Sequence, residues 1–64
     1  MKRRDLVAHL LAHGCVLLRE GAKHSFWINP AKNRRTAVPR HGEVNNNTAK
    51  GICTALGVPP PTKK

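Results

Sequence analysis

The apolar positions of the chain recur first at helical and then at strand spacing. Leu6, Val7, Leu10 and Leu11 stand at i, i+1, i+4 and i+5, which makes one stripe of an amphipathic helix predicted over 3–13. Gly14 follows and can take the left-handed conformation that ends such a helix. Residues 15–20 begin apolar and end polar and read as a strand. Gly21-Ala22 is a short turn, and 23–29 is a second strand. Two such runs joined by a two-residue, glycine-containing link predict a hairpin. The period of two puts His24, Phe26 and Ile28 on one face and Ser25 and Trp27 on the other. Which of these faces is buried is left open by the pattern.

Asn29-Pro30-Ala31-Lys32-Asn33 is turn chemistry. A third strand is predicted over 34–38, with Thr36 and Val38 on one face and Pro39 closing it. Residues 40–43 are loop. Asn45-Asn46-Asn47 offers an N-cap for a helix over 48–56, whose Ala49, Ile52, Cys53 and Leu56 share a face. Gly51 inside that helix costs ~1 kcal/mol against alanine, and Gly57 is its natural C-terminal cap. Three successive prolines and two lysines then mark 59–64 as a basic tail expected to be disordered, outside a single domain over 1–58. The element order predicts an α+β fold, α-β-β-β-α, with an antiparallel three-stranded sheet. Each helix has one apolar face, so both are expected on one side of the sheet, leaving the other side open.

Charge narrows the function. The 64 residues hold twelve Lys and Arg against three acids, Asp5, Glu20 and Glu43, for a formal charge of +9. That density suits a polyanion, and nucleic acid is the commonest one. No apolar run is long enough to cross a bilayer. The basic start imitates a secretory signal, but Asp5, His9 and His13 interrupt what would be its apolar core, so a cytoplasmic protein is expected. Cys15 and Cys53 lack CxxC spacing and read as small, reduced, buried hydrophobes. His9 and His13 stand four apart, but two ligands fall short of a zinc site. The chain has no Asp/Glu cluster, so neither a metal nor another cofactor is expected. At the head of the second strand, Gly21, Lys23 and His24 combine a turn glycine, a cation and an imidazole, the parts of a small phosphate-handling site.

Several local features occur together in a familiar order. They are Met1-Lys2-Arg3-Arg4-Asp5-Leu6, then Gly14 before a strand ending Leu18-Arg19, then Gly21-Ala22-Lys23-His24 leading to Trp27 and Asn29-Pro30. Thr36, Val38-Pro39-Arg40-His41, Glu43 and a closing Ile52 and Leu56-Gly57 follow. On these residues the chain resembles the HicA family of toxin-antitoxin ribonucleases from Met1 to about Val58. It departs from the family at Ala22, where a second glycine or serine is frequent, and at Gly51. The resemblance implies a fold like the double-stranded-RNA-binding domain. It also implies an mRNA interferase whose catalytic histidine aligns with His24, and a HicB-type antitoxin that covers the site.

RNA carries its own nucleophile, the 2′-hydroxyl, so the enzyme needs a base, an acid and cations for the phosphorane. Histidine suits the acid or base. His24 is therefore the candidate catalytic residue, and Lys23, Arg19, Arg40 and Lys32 are candidate phosphate contacts. His41 is a candidate second acid or phosphate donor. Two competing readings carry the same charge. One is a non-catalytic RNA-binding module of the same fold, and the other is a docking domain for an acidic protein.

Overall fold

The computed structural model describes residues 1–61. Its elements are α1 (Arg3–Ala12), β1 (Val16–Glu20), β2 (His24–Asn29), β3 (Arg34–Pro39) and α2 (Asn46–Leu56). The expected α-β-β-β-α order is found, and the three strands form one antiparallel sheet in the order β1-β2-β3. Leu6 and Leu10 of α1 and Ala49, Ile52, Cys53 and Leu56 of α2 share one core with Trp27 and Val38. Both helices therefore cover the same side of the sheet.

Both helices end in the same way. Gly14 and Gly57 have φ of 84° and 72°, the left-handed region that glycine enters without steric cost. After α1, the N–H of Gly14 donates to Leu11 and that of Cys15 to Leu10. After α2, the N–H of Gly57 donates to Thr54 and that of Val58 to Cys53. This paired pattern satisfies the last carbonyls and turns an apolar residue back onto the core. Cys15 and Val58 are those residues, and both are buried. Val58 thus belongs to the packed domain. The expected tail is described only as far as 61, where His9 Nε2 donates to the Pro59 carbonyl at 2.8 Å. Residues 62–64 lie outside the described residues.

At the other end of α2, the Asn45 side chain accepts from the N–H of Asn47 at 2.8 Å, one of the helix's unpaired donors. Gly51 keeps its place inside α2, and a Cβ built there meets nothing within 4 Å. Gly51→Ala is therefore expected to stabilise the domain by ~1 kcal/mol, which a thermal melt would read as a rise of roughly 4–8 °C. A fall in melting temperature would contradict this.

Two expectations need correction, and the first strand adds a finding of its own. Leu11 is 54 % exposed, so the buried stripe of α1 is Leu6 and Leu10, with Val7 packed at its edge. Leu11 is one residue, about 100°, round the helix from Leu10, beyond what one sheet face can cover. β1 is exposed at all five residues, because the helices lie over β2 and β3 and leave this edge strand uncovered. The hairpin link is three residues long, 21–23, and β2 begins at His24 instead of Lys23. The difference goes with a bulge in β1. Leu17 pairs with Trp27 and Arg19 with Phe26, so Leu18 is an extra, unpaired residue.

Cys15 and Cys53 are free thiols in the core. Burial pushes both thiols up, and for Cys53 the neighbouring Cys15 adds to the effect. Protonated, buried sulfurs are inert as nucleophiles.

Candidate functional site

The alternation of β2 separates its side chains completely. Ser25, Trp27 and Asn29 are buried towards the helices, whereas His24 is exposed and Phe26 and Ile28 are half-buried on the open face. The undecided aromatics are therefore settled: Trp27, 5 % exposed, is core, and Phe26 is surface.

His24 pairs across the ladder with Pro39, which brings the residues after β3 alongside the β1–β2 turn. A cleft of about 440 Å³ opens there, lined by Ala22, Lys23, His24, Arg40 and His41. An imidazole, an ammonium, a guanidinium and a second imidazole border one opening, with no carboxylate in its lining. Phosphate and its anionic transition states fit such a setting. Four of the six expected residues meet here.

The other two do not. Arg19 stands on the same sheet face but over the Phe26 ring, 4.5 Å from its centroid. Lys32 lies in the β2–β3 turn, five strand residues or roughly 17 Å from His24 along β2. Its ammonium donates to the carbonyl of Gly57 at 2.7 Å, a favourable place for a cation at a helix C-terminus.

The cleft is held by a chain of polar contacts that starts in α1. Arg3 Nε donates to the Pro39 carbonyl at 2.9 Å, and its terminal nitrogen donates to Ser25 Oγ at 2.8 Å. Ser25 Oγ donates in turn to Glu20 Oε1 at 2.8 Å. Glu20 Oε1 also lies 3.5 Å from Arg40 Nε. Arg40 completes the chain by donating a guanidinium N–H to the Gly21 carbonyl at 3.0 Å and its backbone N–H to Lys23 at 3.2 Å. The Glu20–Arg40 pair is half-exposed and adds little to stability. Its effect is geometric, since it fixes the guanidinium against the turn that carries Lys23 and His24.

Arg3 stands in the first turn of α1, where the helix dipole disfavours a cation, and it clamps the helix to β2 and β3. Sequence reasoning missed Arg3, Glu20 and Ser25 as supports of the site. A serine on the same strand face as a tryptophan was the one available signal, because a buried hydroxyl needs partners.

Gly21 has no room for a side chain. A Cβ there would lie 2.9 Å from the His24 carbonyl oxygen and 3.0 Å from the Phe26 ring. The Gly21 N–H donates to that same oxygen at 2.7 Å. The turn glycine is therefore what allows the Phe26 ring to pack against the β1–β2 turn.

Among the described residues no three His, Cys, Asp or Glu side chains gather as metal ligands. The His9 and His13 rings lie 4.4 Å apart and bond to backbone carbonyls, His9 to Pro59 and His13 to His9. No helix among the described residues is long and apolar enough to cross a membrane.

The family model described as the HicA toxin of bacterial toxin-antitoxin matches residues 3–58. The chain belongs to the HicA toxin family. The match runs from the first residue of α1 to the buried Val58 and so contains all five elements and the whole cleft. HicA proteins are toxins of toxin–antitoxin systems and generally ribonucleases, and a toxin of this kind has an antitoxin partner. No curated protein and no solved structure matches the chain.

Proposed function

We propose that this HicA chain is a metal-independent endoribonuclease that cleaves mRNA with His24 as its acid–base group, and that a HicB-type antitoxin inhibits it by covering the cleft. The observation that carries the reading is the exposed imidazole of His24 at an opening it shares with Lys23, Arg40 and His41. His24 accepts the proton of the 2′-hydroxyl as that oxygen attacks the adjacent phosphorus. Lys23 and Arg40 stabilise the charge that builds on the phosphorane oxygens. The bond from phosphorus to the 5′-oxygen breaks, and His41 or water returns a proton to the leaving group. The products are a 2′,3′-cyclic phosphate and a 5′-hydroxyl.

The test is cleavage of RNA in EDTA with analysis of the product ends. Undiminished cleavage yielding cyclic phosphate and 5′-hydroxyl ends is expected. Cleavage that EDTA abolishes, or that leaves 5′-phosphates, would rule the mechanism out. Salt-sensitive RNA binding without any cleavage would instead identify a non-catalytic binding module.

A further inference from the structure

Beside the His24 cleft lies a second one, of about 320 Å³, on the open face of the sheet. Leu18, Arg19, Phe26, Arg35, Thr36 and Ala37 line it. We infer that this cleft is a base-stacking subsite, in which an unpaired nucleobase of single-stranded RNA lies against the Arg19–Phe26 pair while Arg35 holds a neighbouring phosphate. The inference rests on the ribonuclease reading and extends it from the bond cleaved to the way the strand is held.

Arg19 lies over the Phe26 ring at 4.5 Å, within the range of a cation–π contact. Aromatic rings and arginine guanidinium groups are the usual platforms for unstacked bases. The β1 bulge creates this arrangement. Without the extra Leu18, the side chain opposite Phe26 would be leucine, whereas the register places Arg19 there. The ring itself is braced at one edge by the turn at Gly21.

Position and charge point to the same ligand. Phe26 and His24 share the open face two residues apart, roughly 7 Å along the strand, so a base on Phe26 neighbours a phosphate at His24. Among the described residues no carboxylate is available on this face. Glu20 is turned to Ser25 and Arg40, Glu43 meets the Met1 amino group, and Asp5 belongs to α1 in the other layer. Arg35 is exposed and pairs in register with Ile28, the next open-face residue of β2. The bulge also disrupts the outer edge of β1, which makes it a poor template for an added protein strand.

The experiment uses the full chain carrying His24→Ala, so that RNA stays intact, and a short unstructured oligoribonucleotide labelled for fluorescence anisotropy. Adding Phe26→Leu is expected to weaken binding roughly tenfold without changing the salt slope. Phe26→Tyr should retain the affinity. Arg35→Gln should weaken binding and reduce the salt slope by about one. A 2-aminopurine base in the strand should lose its fluorescence change in the Phe26→Leu protein. Should Phe26→Leu fail to fold by circular dichroism, Arg19→Gln, at an exposed position, serves in its place with a several-fold loss expected.

Unchanged RNA affinity in the folded variants overturns the inference. So does loss of antitoxin binding alone, which would assign the face to the protein partner. If the wild type cleaves RNA in EDTA while Phe26 proves irrelevant to binding, the subsite fails and the ribonuclease reading stands. If Phe26 governs RNA binding and the wild type never cleaves, the reverse holds.

Discussion

Replacing His24 with alanine is expected to slow RNA cleavage by about 10²–10⁴-fold, the usual contribution of a positioned acid–base group, while leaving fold and RNA affinity in place. The separation follows from where the residue stands. Its side chain is exposed on the sheet face that the helices do not cover, and its backbone bonds, including the one from Gly21 to its carbonyl, survive the substitution. Exposed replacements of this kind change stability by about 0.5 kcal/mol or less, so the melting temperature should move by no more than roughly 4 °C. Lys23, Arg40 and His41 remain at the cleft and continue to attract the backbone phosphates. The measurement is single-turnover cleavage at saturating protein, with anisotropy to follow binding. Equal cleavage by the variant would remove His24 from the mechanism, and a parallel loss of binding would make it a contact instead of an acid–base group. Under the same conditions Arg40→Gln should affect rate and binding together, since its charge acts on phosphate in both states.

The parts of the fold that were legible in the sequence are those where a single local rule decides. The buried face of α2 follows from its helical spacing, and its N-cap follows from Asn45. The two helix ends follow from Gly14 and Gly57. The sidedness of β2 was not legible, and the reason is physical. His24, Phe26 and Ile28 make the more apolar-looking face, yet the buried one carries Ser25 and Asn29 beside Trp27. Ser25 and the Asn29 amide nitrogen tolerate burial because they are bonded, while Asn29 Oδ1 is buried without a partner among the described residues. Ser25 is bonded to Arg3 and Glu20, and Asn29 Nδ2 donates to the Leu56 carbonyl at 2.7 Å. Such partners come from elements far away in the chain, so no pattern within the strand can show them.

The bulge is a second case of this kind. Residues 15–20 alternate no differently with it or without it, but one extra residue transfers Arg19 to the face of Phe26 and sets Glu20 opposite Ser25. Of the six expected site residues, the four adjacent to the β1–β2 turn or to the end of β3 were brought together by the antiparallel register itself. Lys32 was not, because a basic residue in the β2–β3 turn is at the far end of the same ladder, where it caps α2.

Leu10→Ala is expected to unfold much of the population at physiological temperature. Leu10 has no exposed surface, and the core it belongs to contains two other leucines, Leu6 and Leu56. Truncating a buried leucine costs roughly 2.7–5 kcal/mol, and the cost rises with the cavity that remains. A domain of 64 residues has a total stability of roughly 3–10 kcal/mol on the usual per-residue scale, so one such cavity removes a large share of it. Leu10 is also structurally tied beyond its side chain, since its carbonyl receives both the His13 and the Cys15 N–H in the turn that leads to β1. Relaxation around the cavity would therefore disturb the chain reversal between helix and sheet. In a thermal melt the transition should fall by more than roughly 10 °C, whereas Leu11→Ala, one residue on and exposed, should alter it by no more than roughly 4 °C for a change within about 0.5 kcal/mol. An antitoxin that binds the folded toxin alone would restore the variant in proportion to its concentration, so co-expression should recover soluble protein. A Leu10→Ala transition within a few degrees of wild type, or a large drop for Leu11→Ala, would contradict the assignment of the α1 face that holds this small core together.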